Sequence, residues 1–274
     1  MREPMWRQIA EDLRQKIETG ELGSDGAALP SELELRDSYE ASRNTVRDAV
    51  KWLVTRGLVV TRPGQGTFVV QKIDPFVTTL STDIKAPKDS IAYASEVMAS
   101  SRIPRVSEPR IEIQLAVGLA AAELHLQRGA IIVSRHQDRF IDGVPWSLQT
   151  TFYPMSFVEQ GAELVIRAED VPTGVVGYIE EKLGIKEVGW HDRFLVRPPD
   201  QAETSFFKLP DDGRIAVIET IRTGYDESGK PIRVTVTTYP ADRNQFVMTA
   251  GEVPVEAISR SATQGLGQQQ TRPE

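Results

Sequence analysis

Residues Ser42 to Arg47, Ser-Arg-Asn-Thr-Val-Arg, hold two guanidinium groups, a carboxamide and two hydroxyls within six positions. An arginine can grip O6 and N7 of guanine with two parallel hydrogen bonds, an asparagine can do the same for adenine, and hydroxyls suit phosphate oxygens or either base. A solvated helix face with ordinary surface charges would carry the same residue types. The elements around the stretch decide between the two.

The net charge of −7 on 274 residues argues against a nucleic-acid partner only if charge is spread evenly, and it is not. Between 36 and 72, Arg36, Arg43, Arg47, Lys51, Arg56, Arg62 and Lys72 face only Asp37, Glu40 and Asp48, a local balance of +4. Such a patch can be an electrostatic footprint on an otherwise acidic protein. The chain has no cysteine, which excludes disulfides, thiolate metal sites and cysteine nucleophiles. Its first twenty residues carry acids and no unbroken apolar run, and no stretch of eighteen apolar residues occurs, so a soluble, cytoplasmic protein is expected.

Three helices and a hairpin are legible in the first 72 residues. Trp6, Ile9, Ala10, Leu13 and Ile17 repeat at helical spacing after Pro4, and Thr19-Gly20 supplies the stop. Pro30 and Ser31 open a second helix, with Ser31 and Glu34 spaced for a capping box. Ser42 is an N-cap candidate for a third helix running through Thr55, with Val46, Ala49, Val50 and Leu53 inward. Gly57 ends it, and Leu58–Arg62, Pro63–Gly66 and Thr67–Val70 read as strand, turn and returning strand. Counted from Glu32, the apolar sites Leu35, Tyr39, Ala41, Val46 and Ala49 fall where two crossing helices bury their contact, which is the spacing of a helix-turn-helix. Its second helix lays its N-terminal residues, here Ser42, Arg43, Asn44, Thr45 and Arg47, against bases and phosphates, and Arg62–Phe68 would be a wing whose glycines allow close backbone approach.

The run from Leu29 to Val69, with Leu-Pro-Ser-Glu at 29–32, Ser-Arg-x-Thr-Val-Arg at 42–47 and Arg-Pro-Gly-Gln-Gly-Thr-Phe-Val at 62–69, resembles the DNA-binding domain of the GntR family of bacterial transcription regulators. The resemblance covers residues 4–70 and implies DNA contacts from Ser42, Arg43, Thr45 and Arg47 and from wing residues Gly64, Gln65, Gly66 and Thr67. Two positions depart from the family. Leu33 stands where an arginine is common, with Arg36 one turn on as the candidate substitute. Glu40 occupies the turn position usually taken by glycine, at a cost of about 1 kcal/mol if the backbone is left-handed there.

The second half reads as strands at Ile111–Leu115, Ile131–Ile141, Trp146–Tyr153, His191–Val196, Ile215–Tyr225 and Ile232–Tyr239. Short helices are expected at Val117–Leu124, Val175–Leu183 and Pro199–Phe207. Turn signals at 141–144 and 226–231 favour antiparallel hairpins and an α+β domain. The stretches 134–154 and 225–246 resemble the effector-binding UTRA domain of the HutC branch, whose fold is like chorismate lyase, whereas a FadR-type partner would be all helical. The resemblance runs from roughly 92 to 248. It implies a small anionic metabolite over the sheet, held at Gln137, Arg139, Gln149, Arg233 and Tyr239. Arg139 and Tyr239 keep the residue types expected for sugar-phosphate binders; Gln149 and Arg233 stand where a carboxylate often holds sugar hydroxyls. Donors in place of acceptors call for a ligand with carboxylate or carbonyl groups rather than an amino-sugar phosphate.

The expected architecture is an N-terminal winged helix-turn-helix (1–72), a linker (73–91), an antiparallel-sheet α+β domain of UTRA type (92–252) and a disordered tail (253–274). The expected function is a regulator, in the usual family mode a repressor, binding a two-fold operator in double-stranded DNA as a homodimer and released by its effector; a ligand-dependent activator is the alternative. No cofactor, metal or membrane partner is expected. An enzyme of lyase-like fold finds no support in a nucleophile elbow, a zinc-binding His-Glu-x-x-His or a P-loop, and a nucleoid-packing protein would be smaller and basic.

Overall fold

The structure, a computed structural model, describes residues 3–23, 26–70, 75–80, 89–210, 213 and 215–254. The chain divides into two units at Asp74/Pro75.

In the first unit, α1 (Met5–Glu18), α2 (Glu32–Tyr39) and α3 (Arg43–Thr55) precede a hairpin of β1 (Val59–Arg62) and β2 (Gly66–Val69). Ile9, Ala10 and Leu13 of α1 meet Leu35 of α2 and Val46, Ala49 and Leu53 of α3 in one buried core, with Leu29 and Val59 closing it. The i, i+3, i+4 and i+7 spacing seen in the sequence is what turns these side chains to a common side. Ser31 and Glu34 form the capping box of α2, and the Ser42 hydroxyl accepts from the Thr45 amide at 3.2 Å to start α3. The turn between the two helices passes through Glu40 at φ 48° and ψ 39°, the left-handed region anticipated there. Strand β2 also accepts and donates to the preceding loop, Leu29 N to Thr67 O at 2.7 Å and Val69 N to Ala27 O at 2.8 Å, which ties the hairpin to the start of α2.

The second unit runs β3 (Phe76–Thr79), α4 (Asp89–Ala99), β4 (Pro104–Val106), β5 (Arg110–Leu115), α5 (Gly118–Glu123), β6 (Ile131–Ile141), β7 (Val144–Pro154), α6 (Ser156–Glu159), a 3-10 turn (Glu163–Ile166), α7 (Gly174–Leu183), β8 (Glu187–Arg197), α8 (Gln201–Phe207), β9 (Val217–Asp226), β10 (Pro231–Pro240) and β11 (Asn244–Val247). Seven strands form an antiparallel sheet in the order β4, β6, β7, β10, β9, β8, with β5 also paired to β6. Strands β6 and β7 are joined through Asp142 and Gly143, both at positive φ, the backbone a two-residue hairpin turn demands.

Strand alternation sorts the sheet into two faces. On one, Val133 and Tyr153 pack under α6, the 3-10 turn and α7. On the other, Ile132, Ile221 and Val234 pack under α5, and Leu148 and Val217 under α8. One expectation needs correcting: the segment 73–91, read as a linker, contains β3, which pairs in parallel with β11, and the start of α4. Residues 255–274 of the tail lie outside the described residues, as do 73–74 and 81–88 of that segment.

Candidate nucleic-acid interface and effector site

In the first unit, the N-terminal turn of α3 stands free of the core. Arg43 and Arg47 have 70% and 61% of their side-chain surface exposed, and Asn44 is exposed beside them. Val46 and Ala49, both fully buried, fix this outward face, because they lie on the opposite stripe of the same helix. Ser42 and Thr45 are engaged with each other, their hydroxyls 2.8 Å apart, so they serve the helix start as well as any ligand. Gly64 (φ 72°), Gln65 and Gly66 (φ 121°) form the exposed hairpin tip, and Thr67 is held to Thr61 by a hydroxyl contact of 3.1 Å. A groove bounded by α3 and the hairpin is lined by Asn44, Arg47, Lys51 and Thr61. Arg36 is half-buried on α2, while Leu33 is 59% exposed.

Glu32, in the sequence no more than a motif residue at the start of α2, faces both arginines: its Oε2 is 3.3 Å from Arg43 Nε and its Oε1 3.7 Å from Arg47 Nε. Nothing in the sequence short of the helix-turn-helix geometry brings residue 32 to residues 43 and 47.

In the second unit, the registers of β6, β7 and β10 put Gln137, Arg139, Gln149, Arg233 and Tyr239 on one face of the sheet, together with Arg135, Thr151, Thr235 and Thr237. Gln137 and Gln149 are direct cross-strand partners. They line a small cavity of about 20 Å³ with Arg135, Thr151, Asp170 and Gly174, bordered by the segment that starts α7. That volume admits about one water. Gln137 Nε2 donates to Asp170 Oδ1 at 3.2 Å. Gln149 is 7% exposed; its carbonyl oxygen accepts from Thr237 Oγ1 at 3.5 Å, and its amide nitrogen finds no acceptor among the described residues.

The other three positions are separate from this cavity. Arg139 is buried, its guanidinium 4.8 Å over the ring of Tyr93 from α4. Tyr239 meets Phe246 edge-on at 5.0 Å. Burial raises the pKa of the Tyr239 hydroxyl, opposed in part by the charge of Arg139. Arg233 is only 1% exposed and is held by Glu187, Nε to Oε2 at 2.6 Å and Nη2 to Oε1 at 3.1 Å, with Nη1 donating to Thr235 Oγ1 at 2.9 Å. These donors serve the sheet itself, so the expectation that Arg233 offers them to a ligand is not supported by its surroundings.

Arg135 alternates with Gln137 and Arg139 on β6, the one signal in the sequence that could have marked it. Its Nη1 donates to the carbonyls of Leu164, Val165 and Arg167, and its Nη2 to that of Glu169, at 2.8 to 3.2 Å. Burial draws its pKa below the ordinary arginine value. It pins the segment that borders the cavity. Among the described residues no group of histidine, aspartate and glutamate side chains is arranged to hold a metal ion.

A winged helix-turn-helix with an outward-facing basic helix, followed by a second domain with a polar cavity on its sheet, has the architecture of a two-domain transcription regulator. Residues 6–69 match the model of the bacterial regulatory proteins of the gntR family, and residues 110–245 match that of the UTRA domain. The chain is 22% identical over 244 residues to the HTH-type transcriptional regulator GmuR of Bacillus subtilis (strain 168), covering 88% of this chain and 95% of the relative. It is 31% identical over 156 residues, 56% of this chain and 60% of the relative, to the mannosyl-D-glycerate transport/metabolism system repressor MngR of Escherichia coli (strain K12). Its fold is similar to that of crystalline PhnF from Mycobacterium smegmatis, with a TM-score of 0.53 at 21% identity over 89% of this chain and all of the other. The chain belongs to the GntR family: it is a DNA-binding transcription regulator with a UTRA effector domain, and not an enzyme.

Proposed function

We propose that the protein is a cytoplasmic repressor of the HutC branch that binds a two-fold operator as a homodimer and releases it when a small anionic metabolite occupies the second domain. Arg43, Asn44 and Arg47 read bases or grip phosphates, Ser42 and Thr45 add phosphate contacts, Arg36 reaches the backbone from α2, and Gly64 to Thr67 follow it from the wing. A repressor role is supported by the name of MngR among the relatives.

The observation that carries the effector reading is Gln149, a largely buried side chain that lines a polar cavity beside Gln137 with an amide donor to offer. A carboxylate or carbonyl oxygen meets that donor; Arg139 and Tyr239 bound the ligand further along the face, while Arg233 stiffens the sheet behind it. Because the cavity as it stands admits about one water, a metabolite enters only if the segment at Asp170 and Gly174 moves away from the sheet. Binding then favours one of two arrangements of the domain, and only such differential affinity can change DNA affinity.

The test is isothermal calorimetry of the full chain against small carboxylates, followed by operator release measured with each binder. Binding of a carboxylate that is weakened by Gln149→Leu supports the reading. Tight binding of glucosamine-6-phosphate with no carboxylate bound contradicts it. Sedimentation at micromolar concentration reports the dimer directly.

A further inference from the structure

We infer that Glu32 is a specificity-determining positioning residue: a carboxylate built into the DNA-facing surface that brackets Arg43 and Arg47 from behind and weakens their pull on phosphates of unrelated sequence. The inference rests on the reading of Arg43 and Arg47 as DNA contacts.

Both contacts of Glu32 are made to the Nε edge of its arginines, at 3.3 Å to Arg43 and 3.7 Å to Arg47. No other ion pair engages either guanidinium, so the Nη groups of both remain open among the described residues. Those are the groups a guanidinium turns toward guanine O6 and N7. One carboxylate spans the two arginines because they lie four residues apart on α3 and so on the same helical stripe.

In its own helix the carboxylate stands in the first turn, where it complements the helix dipole, but it is not part of the cap. The cap of α2 is made by Ser31 and Glu34, in which the Ser31 amide donates to Glu34 Oε2 at 2.8 Å and the Glu34 amide to Ser31 Oγ at 3.3 Å. Glu32 takes no part in it, and it lines the same groove as Asn44, Arg47, Lys51 and Thr61. An acid at a surface that meets phosphate opposes binding to every duplex alike. Its compensating effect is to hold two flexible side chains in one orientation, which favours only those duplexes whose base edges fit that orientation.

The experiment compares wild type, Glu32→Gln and Glu32→Asp as full chains, by fluorescence anisotropy on a selected operator and on a scrambled duplex across a range of salt. Glu32→Gln keeps size and helix preference and removes the charge. The expected result is a several-fold gain in affinity for the scrambled duplex, with a salt slope steeper by about one unit. Operator affinity stays level or falls, so the specificity ratio drops by about tenfold. Glu32→Asp keeps the charge but loses reach, so its salt slope stays at the wild-type value while its specificity ratio falls. Equal changes on both duplexes, or an unchanged slope and ratio in Glu32→Gln, overturn the inference. Arg47→Ala separates this outcome from failure of the underlying reading. If that variant binds operator like wild type, the interface is elsewhere and the role of Glu32 falls with it.

Discussion

Glu187 holds Arg233 with both carboxylate oxygens directly over Gly224, where a Cβ would stand 2.1 Å from Glu187 Oε2. Backbone bulges at Glu187/Gly189 and Pro231/Arg233 bring the pair into line across three strands. The pair is almost fully buried, so removing one partner strands a charge in a medium that solvates it poorly. Glu187→Ala is expected to destabilise the protein by about 3–5 kcal/mol. Gly224→Ala is expected to lower stability as well, because the new methyl meets the carboxylate. Urea unfolding of each variant checks both, and wild-type midpoints would show that the pair has another arrangement in solution.

Arg47→Ala and Arg43→Ala are each expected to weaken operator binding, by about 1–3 kcal/mol where the arginine grips a base with two hydrogen bonds. If Arg43 reads a guanine, its removal also relaxes preference at one base pair, whereas removing a phosphate grip lowers affinity uniformly. Anisotropy on single-substitution operator variants separates the two.

Glu40 adopts a left-handed backbone without the glycine that tolerates it best. Glu40→Gly relieves that strain but frees the unfolded chain, and the balance is expected to stabilise the first unit by about 0.5–1 kcal/mol. A shift of its unfolding midpoint to higher denaturant checks this; a decrease would mean that the side chain supports the turn.

Burial pushes the Glu203 carboxyl upward, but two hydrogen bonds from Arg197, each 2.7 Å, and one from the Asp200 amide outweigh it and hold the carboxyl below its ordinary value. A carboxylate with a depressed folded pKa binds its proton more readily when unfolded. Its contribution is therefore complete above the unfolded value near pH 4.3 and is lost as pH falls through the folded one. Glu203→Gln is expected to flatten the acid limb of stability against pH in that window and leave its shape near pH 7 unchanged. An acid limb as steep as that of wild type would contradict this.

Arg139→Ala is expected to leave operator affinity unchanged and to abolish release by the effector. A fall in DNA affinity without effector would make Arg139 structural, through its contact with Tyr93 of α4.

The elements that carry function are largely legible in the sequence because local rules set them. Ser42 caps α3 and Thr55 ends it as the pattern requires, and β6 spans the strand-like stretch Ile131–Ile141. What escapes a sequence reading is non-local. Strands β3 and β11 have four residues each and pair with one another across most of the domain's sequence, so neither has an alternating pattern long enough to read. The start of β8 is hidden because Gly189 sits at a bulge and breaks its alternation, which conceals Glu187 and with it the partner of Arg233. Glu32 escapes for a related reason: its role exists only once α2 and α3 cross.

Whether the first unit reads a particular DNA sequence is decided by selecting duplexes from a random library with the full chain and measuring their affinity by anisotropy at two salt concentrations. Enrichment of a two-fold symmetric site, bound at nanomolar concentration and weakened by salt, is the expected result. Equal binding of selected and random duplexes at both salts would contradict it.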